Sequence, residues 1–341
     1  MKTSDFYYDL PERLIAQTPI EPRDAARMMV YSRDTGLAED HIFRELPDYL
    51  TAKDVMVVNE TRVIPARLLG VKEETGVPVE VLLLRRVSAN EWETLVRPGR
   101  RLKKGAVVTF GEGLLTCVIG DTTSAGGRVV RFEYEGLFEN LLERLGETPL
   151  PPYIHEKLDD PNRYQTVYAR QDGSAAAPTA GLHFTEDVLK RIRDKGVDIV
   201  PVLLHVGLGT FRPVKSEDLE HHEMHEEYYQ VTEDAASRIN KARQNGGRIV
   251  AIGTTSVRTL ETVATEDGIV HPGGGMTSIF IHPGVRLKAT DVLLTNFHLP
   301  ESTLLMLVSA MIGREKALEL YKDAVEKEYR FFSFGDCMLL K

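Results

Sequence analysis

The side chains that could do chemistry are gathered in six short strings. The first is Asn59, Glu60, Thr61 and Arg62, placed after the apolar run Val55 to Val58 and before Ile64 and Pro65. Polar groups at the carboxyl end of a strand in an open α/β sheet stand where ligands usually bind, although Asn and Thr are also ordinary turn residues. The second runs from 173 to 185, GSAAAPTAGLHFT, and carries Pro178, Thr179 and His183 just ahead of a helix start. Small side chains let a ligand approach the backbone, and free helix amides favour an anion; a tightly packed loop is the plainer alternative. The third, LLHVGLGTFRP, leads from Leu203 through Gly207 and Gly209 to Thr210 and Arg212. Phe211, Arg212 and Pro213 occupy the places where a dinucleotide fingerprint needs its third glycine and a helix, so no nicotinamide or flavin is expected. No GxxxxGK[ST] phosphate loop occurs either.

The fourth string is His221, His222, Glu223, Met224 and His225. A zinc-binding HExxH motif needs its second His four residues after the first, and the residue four beyond His222 is Glu226. No metal is expected there; polar contacts to a substrate, or a plain surface cluster, fit better. The fifth is AIGTTSVRTLE, in which Gly253, Thr254, Thr255 and Ser256 open a helix bearing Arg258 and Glu261. One hydroxyl would suffice as a helix cap, whereas three beside free amides suit a carboxylate, ribose hydroxyls or a phosphate. The sixth places Thr295, Asn296, Phe297 and His298 ahead of an almost wholly apolar helix that begins after Pro300 and Ser302. Asn296 and His298 alternate along an extended segment and should project to one side, within reach of one pocket.

The elements that must position these strings fall into two kinds. Between Ala66 and Glu135 six short runs rich in Val, Leu and Thr are separated by Gly, Asn, Ser or Asp, which predicts a small barrel or sandwich. A helical stretch, LFENLLERLG, follows, and then Pro149, Pro151 and Pro152 mark a boundary. From about Gly181 strands alternate with helices, the grammar of a parallel or mixed sheet covered by helices. Thr185 and Thr232 are placed to cap two of those helices. The runs RMMVYSR and DVMVVNE near the start have no core of their own and should join that sheet. The expected fold is therefore a mixed-sheet α/β domain made of residues 1–65 and 151–341, with a small β-barrel domain, residues 66–150, inserted between its halves.

Composition narrows the class of protein. The chain has 341 residues, long enough for about two domains, and its longest apolar stretch falls far short of the roughly 20 residues that span a bilayer. No export signal is visible at the start, and Cys117 and Cys337 make neither a disulfide scaffold nor a zinc ribbon, so a cytoplasmic protein is expected. The net charge of −9 would argue against a nucleic-acid partner, but seven cations and two anions lie between Arg85 and Lys104, a local +5 that leaves −14 elsewhere. Such a strip is either a solvated face or a place to engage a polyanion, with affinity falling steeply in salt.

Ten strings in this order cover nearly the whole chain: YDLPERLIAQTPIEPRDAARMMV, VVNETRVIPARL, VRPGRRLKKG, LPPYI, RYQTVYA, APTAGLHFT, LHVGLGTFRPV, AIGTTSVRTLE, TNFHLPESTLLMLVSA and YRFFSFGD. By them the sequence resembles the S-adenosylmethionine:tRNA ribosyltransferase-isomerase family of queuosine biosynthesis. The resemblance implies an α/β domain with an inserted β-barrel and a reaction that consumes S-adenosylmethionine as donor of its ribosyl part. The implied acceptor is 7-aminomethyl-7-deazaguanine at the tRNA wobble position, and the implied products are epoxyqueuosine in tRNA, adenine and methionine. No further cofactor is implied, and a monomer that engages the tRNA anticodon arm and no membrane is expected. His183, His298 and Glu60 become the acid/base candidates. Asn59, Thr61, Arg62, Pro178, Thr179, Gly207, Gly209, Thr254, Thr255, Ser256, Arg258 and Asn296 become candidates for substrate binding, and Arg97, Arg100, Arg101, Lys103 and Lys104 for tRNA phosphates. Glu226 and Tyr228 stand where the family pattern has Ser and Trp, and Ala175 where it has Val. Two other classes stay open on residues alone: a catalytically silent tRNA-binding module, and a metal-dependent hydrolase built on His221 to His225.

Overall fold

All five residues of the strand Val55–Asn59 are buried, and their alternation feeds two different cores. Val55 and Val57 pack with Val200, Val202, Ile249, Ala251 and Leu293, whereas Met56 and Val58 pack with Val250, Ile252 and Leu294. A strand that is apolar on both faces belongs in a sheet covered on both sides, as parallel sheets generally are. The computed structural model describes residues 1–123, 126–156, 158, 160–207, 216–222 and 224–341, and it divides into two compact units. One contains Met1–Thr61, Pro152–Gln171 and Ala177–Lys341; the other contains Arg62–Pro151 and Asp172–Ala176. The short return segment Asp172–Ala176 carries no composition cue that would assign it to the second unit.

The larger unit is built on a nine-stranded mixed sheet in the order Gly273–Thr277, Glu227–Val231, Asp198–Leu204, Val55–Asn59, Ile249–Ile252, Val292–Asn296, Cys337–Leu340, Arg27–Tyr31 and Ala38–Ile42. The four strands from Asp198–Leu204 to Val292–Asn296 run parallel to one another, so their carboxyl ends open on the same edge. Six α-helices occur among the described residues: α1 (Phe138–Leu145), α2 (Glu186–Asp194), α3 (Glu233–Gln244), α4 (Gly253–Val263), α5 (Thr303–Ile312) and α6 (Arg314–Glu326). Helices α3 to α6 supply the first core and α2 the second, which covers both faces. The Thr185 hydroxyl accepts the Val188 amide and the Thr232 hydroxyl the Ala235 amide, so both expected caps are made.

The second unit is an antiparallel barrel of six strands, Arg67–Lys72, Pro78–Arg86, Glu91–Arg97, Arg128–Tyr134, Leu115–Thr122 and Val107–Phe110, closed by pairing of the first with the last. Closure brings backbones together at Gly70, where a Cβ would lie 2.5 Å from both the Phe110 ring and the Thr109 carbonyl. Only glycine leaves room for that approach. Its interior is apolar, with Val81, Leu83, Val108, Cys117, Val130 and Phe132 all buried, and α1 adds Phe138 and Leu142.

Candidate active site

The parallel strands deliver Asn59, Leu204, Ile252 and Asn296 to one edge of the sheet, and a cavity opens there in the larger unit. Its walls include Pro178 and Thr179, the first turn of α4 at Gly253, Thr254 and Thr255, and Thr295, Asn296 and His298. Gly253 begins α4 with φ +81°, the left-handed region that glycine enters without a Cβ penalty, and so turns the strand sharply into the helix. No side chain caps α4. Of the three hydroxyls expected there, Ser256 donates back to the Ile252 carbonyl at 2.8 Å, and Thr255 Oγ1 is buried without a partner among the described residues. The first-turn amides therefore keep the partial positive charge of a helix N-terminus toward the cavity.

Asn296 and His298 do reach one cavity, as their alternation predicts. Asn296 donates its Nδ2 to the Phe332 carbonyl at 2.9 Å and lies 3.4 Å from His183 Nε2. Phe332 itself sits at φ +75°, a strained conformation for an aromatic residue, and its carbonyl is thereby turned onto Asn296. His298 is held on three sides: Nε2 bonds to Thr295 Oγ1 at 2.8 Å, its carbonyl accepts the Tyr8 hydroxyl at 2.5 Å, and its amide donates to Tyr321 Oη at 3.2 Å. Burial pushes the His298 imidazole down to about 3. Burial, reinforced by the cations Arg330 and Arg23, pushes His183 down to about 3 as well. Both rings are thus neutral at physiological pH. His183 stands behind Asn296 and does not line the cavity.

Asn59, Glu60 and Thr61 are not among the cavity walls, and Arg62 belongs to the second unit. Asn59 is fully buried and both ends of its amide are taken by backbone: Nδ2 donates to Leu204 O at 2.9 Å, and Oδ1 accepts from Leu204 N at 3.0 Å and Thr61 N at 3.2 Å. It fastens two neighbouring strand ends. Thr61 Oγ1 meets His205 Nδ1 at 2.8 Å, Glu60 accepts from Gln171 Nε2 at 2.8 Å, and the exposed Arg62 lies 3.7 Å from Asp172. Gly207 donates its amide to Glu227 Oε1 at 2.8 Å, and Glu227 forms a buried ion pair with Arg258. Gly209, Thr210, Arg212 and Glu223 lie outside the described residues, and with them the centres of the third and fourth strings.

Glu227 and Phe332 are the residues that sequence reasoning missed. Glu227 lies two places before the half-buried Tyr229 and four before the core residue Val231, and alternation, which puts all three on one face, was the available cue for it. Nothing in the string YRFFSFGD marks Phe332 as left-handed.

In the barrel unit, Arg100, Arg101, Lys103 and Lys104 line one depression together with Lys72 and Glu74, while Arg97 borders a separate apolar groove beside Leu69, Val71 and Pro98. Lys104 pairs with Asp121 at 2.6 Å, and Arg85 and Arg86 pair with Glu93 and Glu139. Among the described residues Arg97, Arg100, Arg101 and Lys103 have no ion-pair partner.

A family model described as queuosine biosynthesis protein matches residues 3–340. Among the relatives, an S-adenosylmethionine:tRNA ribosyltransferase-isomerase of Symbiobacterium thermophilum is 61% identical over 340 residues, covering all of both chains. One of the same name from Moorella thermoacetica is 61% identical over 341 residues, again covering all of both chains. Among solved structures, the S-adenosylmethionine tRNA ribosyltransferase of Thermotoga maritima is 38% identical, covers 99% of this chain and 100% of its own, and aligns with a TM-score of 0.57. On this full-length agreement, the chain belongs to the family of queuosine biosynthesis proteins.

Proposed function

We propose that this chain transfers and isomerises the ribosyl part of S-adenosylmethionine onto 7-aminomethyl-7-deazaguanine at the tRNA wobble position, giving epoxyqueuosine in tRNA with release of adenine and methionine. The full-length identity to relatives of that name supports it, and so does the cavity at the carboxyl ends of the parallel strands. The observation that carries the site is that one cavity joins a buried imidazole, His298, to Asn296 and the uncapped start of α4.

The reaction asks for a base that removes the C5′ proton beside the sulfonium and a proton for the departing adenine. A neutral imidazole can do both in sequence. It takes the C5′ proton, the freed pair forms C4′=C5′ as the C4′–O4′ bond breaks, O4′ becomes the C1′ carbonyl oxygen, and adenine leaves with the electron pair of its glycosidic bond and takes a proton from the imidazolium. The amine of the acceptor then adds to C4′ and gives up a proton, the pair returned to C5′ bonds to the C1′ carbonyl carbon, and the C1′ alkoxide so formed displaces methionine, which leaves with the C–S electron pair as the epoxide closes across C1′ and C5′. His298 is the group we assign to the proton, with Asn296 lining the same cavity and His183 behind Asn296 as a positioning residue. Pro178, Thr179, Thr254 and Thr255 form the surrounding walls. Glu60 is the third candidate, and its bond to Gln171 leaves one carboxylate oxygen for other contacts.

Arg97, Arg100, Arg101, Lys103 and Lys104 serve as contacts for anticodon-arm phosphates in this proposal, and the base to be modified unstacks to react. We further assign the protein to the cytoplasm, as a monomer that needs no cofactor beyond its co-substrate. No helix among the described residues is long and apolar enough to cross a membrane. The test is incubation of the protein with S-adenosylmethionine and tRNA bearing the aminomethyl-deazaguanine, with guanine-bearing tRNA as control. Adenine is followed by chromatography and nucleosides by mass spectrometry. Adenine release with epoxyqueuosine only in the modified tRNA is the expected outcome; an intact ribosyl donor in both reactions contradicts the proposal.

A further inference from the structure

Among the described residues two polar features of the cavity have no protein partner, and their chemistry is complementary. Asn296 is 2% exposed, lines the cavity, and its Oδ1 has no hydrogen-bond partner among the described residues. The amide cannot be turned over, because the Phe332 carbonyl only accepts and takes the Nδ2 proton at 2.9 Å; a flip would set two oxygens against each other. Oδ1 is therefore fixed as an acceptor awaiting an N–H or O–H, and a buried acceptor left unmade is costly. The first turn of α4, which lines the same cavity, offers uncapped amides, and Thr255 Oγ1, without a partner among the described residues, stands beside them. Amides and a hydroxyl at a helix N-terminus make a receptor for a carboxylate.

We propose that this cavity receives the α-amino-acid end of the ribosyl donor, with the carboxylate on the first turn of α4 and the ammonium on Asn296 Oδ1. The inference rests on S-adenosylmethionine being that donor, and it adds which end of the molecule the cavity reads. Carboxylate and ammonium on one carbon match an anion receptor and an acceptor placed in one cavity, whereas adenine carries no anion for α4. The competing N–H source, the amino group of adenine, predicts a different response and is separated below.

The experiment is calorimetric binding to the full chain and to N296A and T255V, the latter nearly isosteric, with thermal unfolding to establish that each variant is folded. The probes are S-adenosylmethionine, L-methionine, L-methionine methyl ester and adenosine. The expected result is that methionine binds in competition with S-adenosylmethionine and that its methyl ester binds at least about tenfold more weakly. N296A and T255V should each weaken methionine and S-adenosylmethionine by about tenfold while leaving adenosine unchanged. Methionine that fails to compete, an ester that binds as well as the free acid, or an N296A variant that loses adenosine and keeps methionine each overturns the assignment. Should N296A fail to fold, the T255V and ester comparisons decide alone. A wild-type protein that binds no S-adenosylmethionine at all would instead overturn the proposed function, which keeps the two failures distinct.

Discussion

The two units present polar groups in opposite ways. In the sheet unit Asn296 and His298, at the cavity, are buried and held by Phe332 and Thr295, and Arg258 is buried against Glu227. In the barrel unit Arg97, Arg100, Arg101 and Lys103 are exposed and carry no ion pair among the described residues. Burial fixes orientation and shifts proton affinity, which suits chemistry on one small ligand. Exposed cations on flexible stems do neither; they suit a polyanion whose grip is electrostatic and salt-dependent. The account thus separates the chemical step from tRNA capture, and each variant below should disturb one without the other.

The largest effect is expected at His298. H298N should lower the single-turnover rate of adenine release by about 10²- to 10⁴-fold, the usual worth of a positioned acid/base group, with tRNA affinity unchanged. H183Q, one residue removed from the cavity behind Asn296, should cost only about tenfold in rate, because it acts by orienting. Equal losses in the two variants would move the proton-transfer role to His183.

Next in size is the barrel. Replacing Arg100, Arg101, Lys103 and Lys104 with Ala should weaken tRNA binding by at least about tenfold at low salt. It should also make the dependence of log K on log salt shallower by about 0.7 to 0.9 for each phosphate that is no longer neutralised. Fluorescence titrations at several salt concentrations measure both, and an unchanged slope would show the strip to be a solvated face. S-adenosylmethionine affinity should not respond.

The pH dependence sharpens the contrast between buried and exposed groups. His183 and His298 have folded values pushed down to about 3 against an ordinary value near 6.5, so the unfolded chain binds more protons between those limits. Their contribution to stability is complete above pH 6.5 and is lost as pH falls toward 3, by up to about 1.4 kcal/mol per pH unit for each ring. Denaturant melts from pH 7 to 4 should show this slope, and H183Q should flatten it. For the same reason kcat/KM should lack an acidic limb near pH 6.5.

The smallest effect is expected at Gly253. G253A keeps an ordinary contact with Ala180, 3.5 Å away, yet holds an L side chain at φ +81°, which should cost about 1 to 2 kcal/mol in chemical denaturation.

How much of this was legible beforehand depended on whether a feature is local. The six barrel strands and the alternation of strands and helices were written in period and punctuation, because side-chain pattern alone decides them. Thr185 and Thr232 were readable as caps because a cap needs only its own next three residues. The pairing of Asn296 with His298 followed from alternation. What spacing could not show is how each polar group is used. Asn59 has the position of a ligand-binding residue, but its amide is consumed by Leu204, 145 residues away. Ser256 sits where a cap or a ligand-binding group is expected and bonds to the turn before it. Glu227 and Phe332 matter through partners distant in sequence, and such partners are set by tertiary packing. The basic strip was legible as charge, but only the structure separates Arg85 and Arg86, which are neutralised, from Arg100 and Arg101, which are not.

The division between chemistry and capture is tested most directly by single-turnover adenine release at saturating S-adenosylmethionine and saturating modified tRNA. The proteins to compare are wild type, H298N and the barrel variant lacking Arg100, Arg101, Lys103 and Lys104. The account predicts that the barrel variant, once saturated, reacts within about twofold of wild type, while H298N is slower by about 10²-fold or more. A barrel variant that stays slow at saturation, or an H298N protein that releases adenine at the wild-type rate, would contradict it.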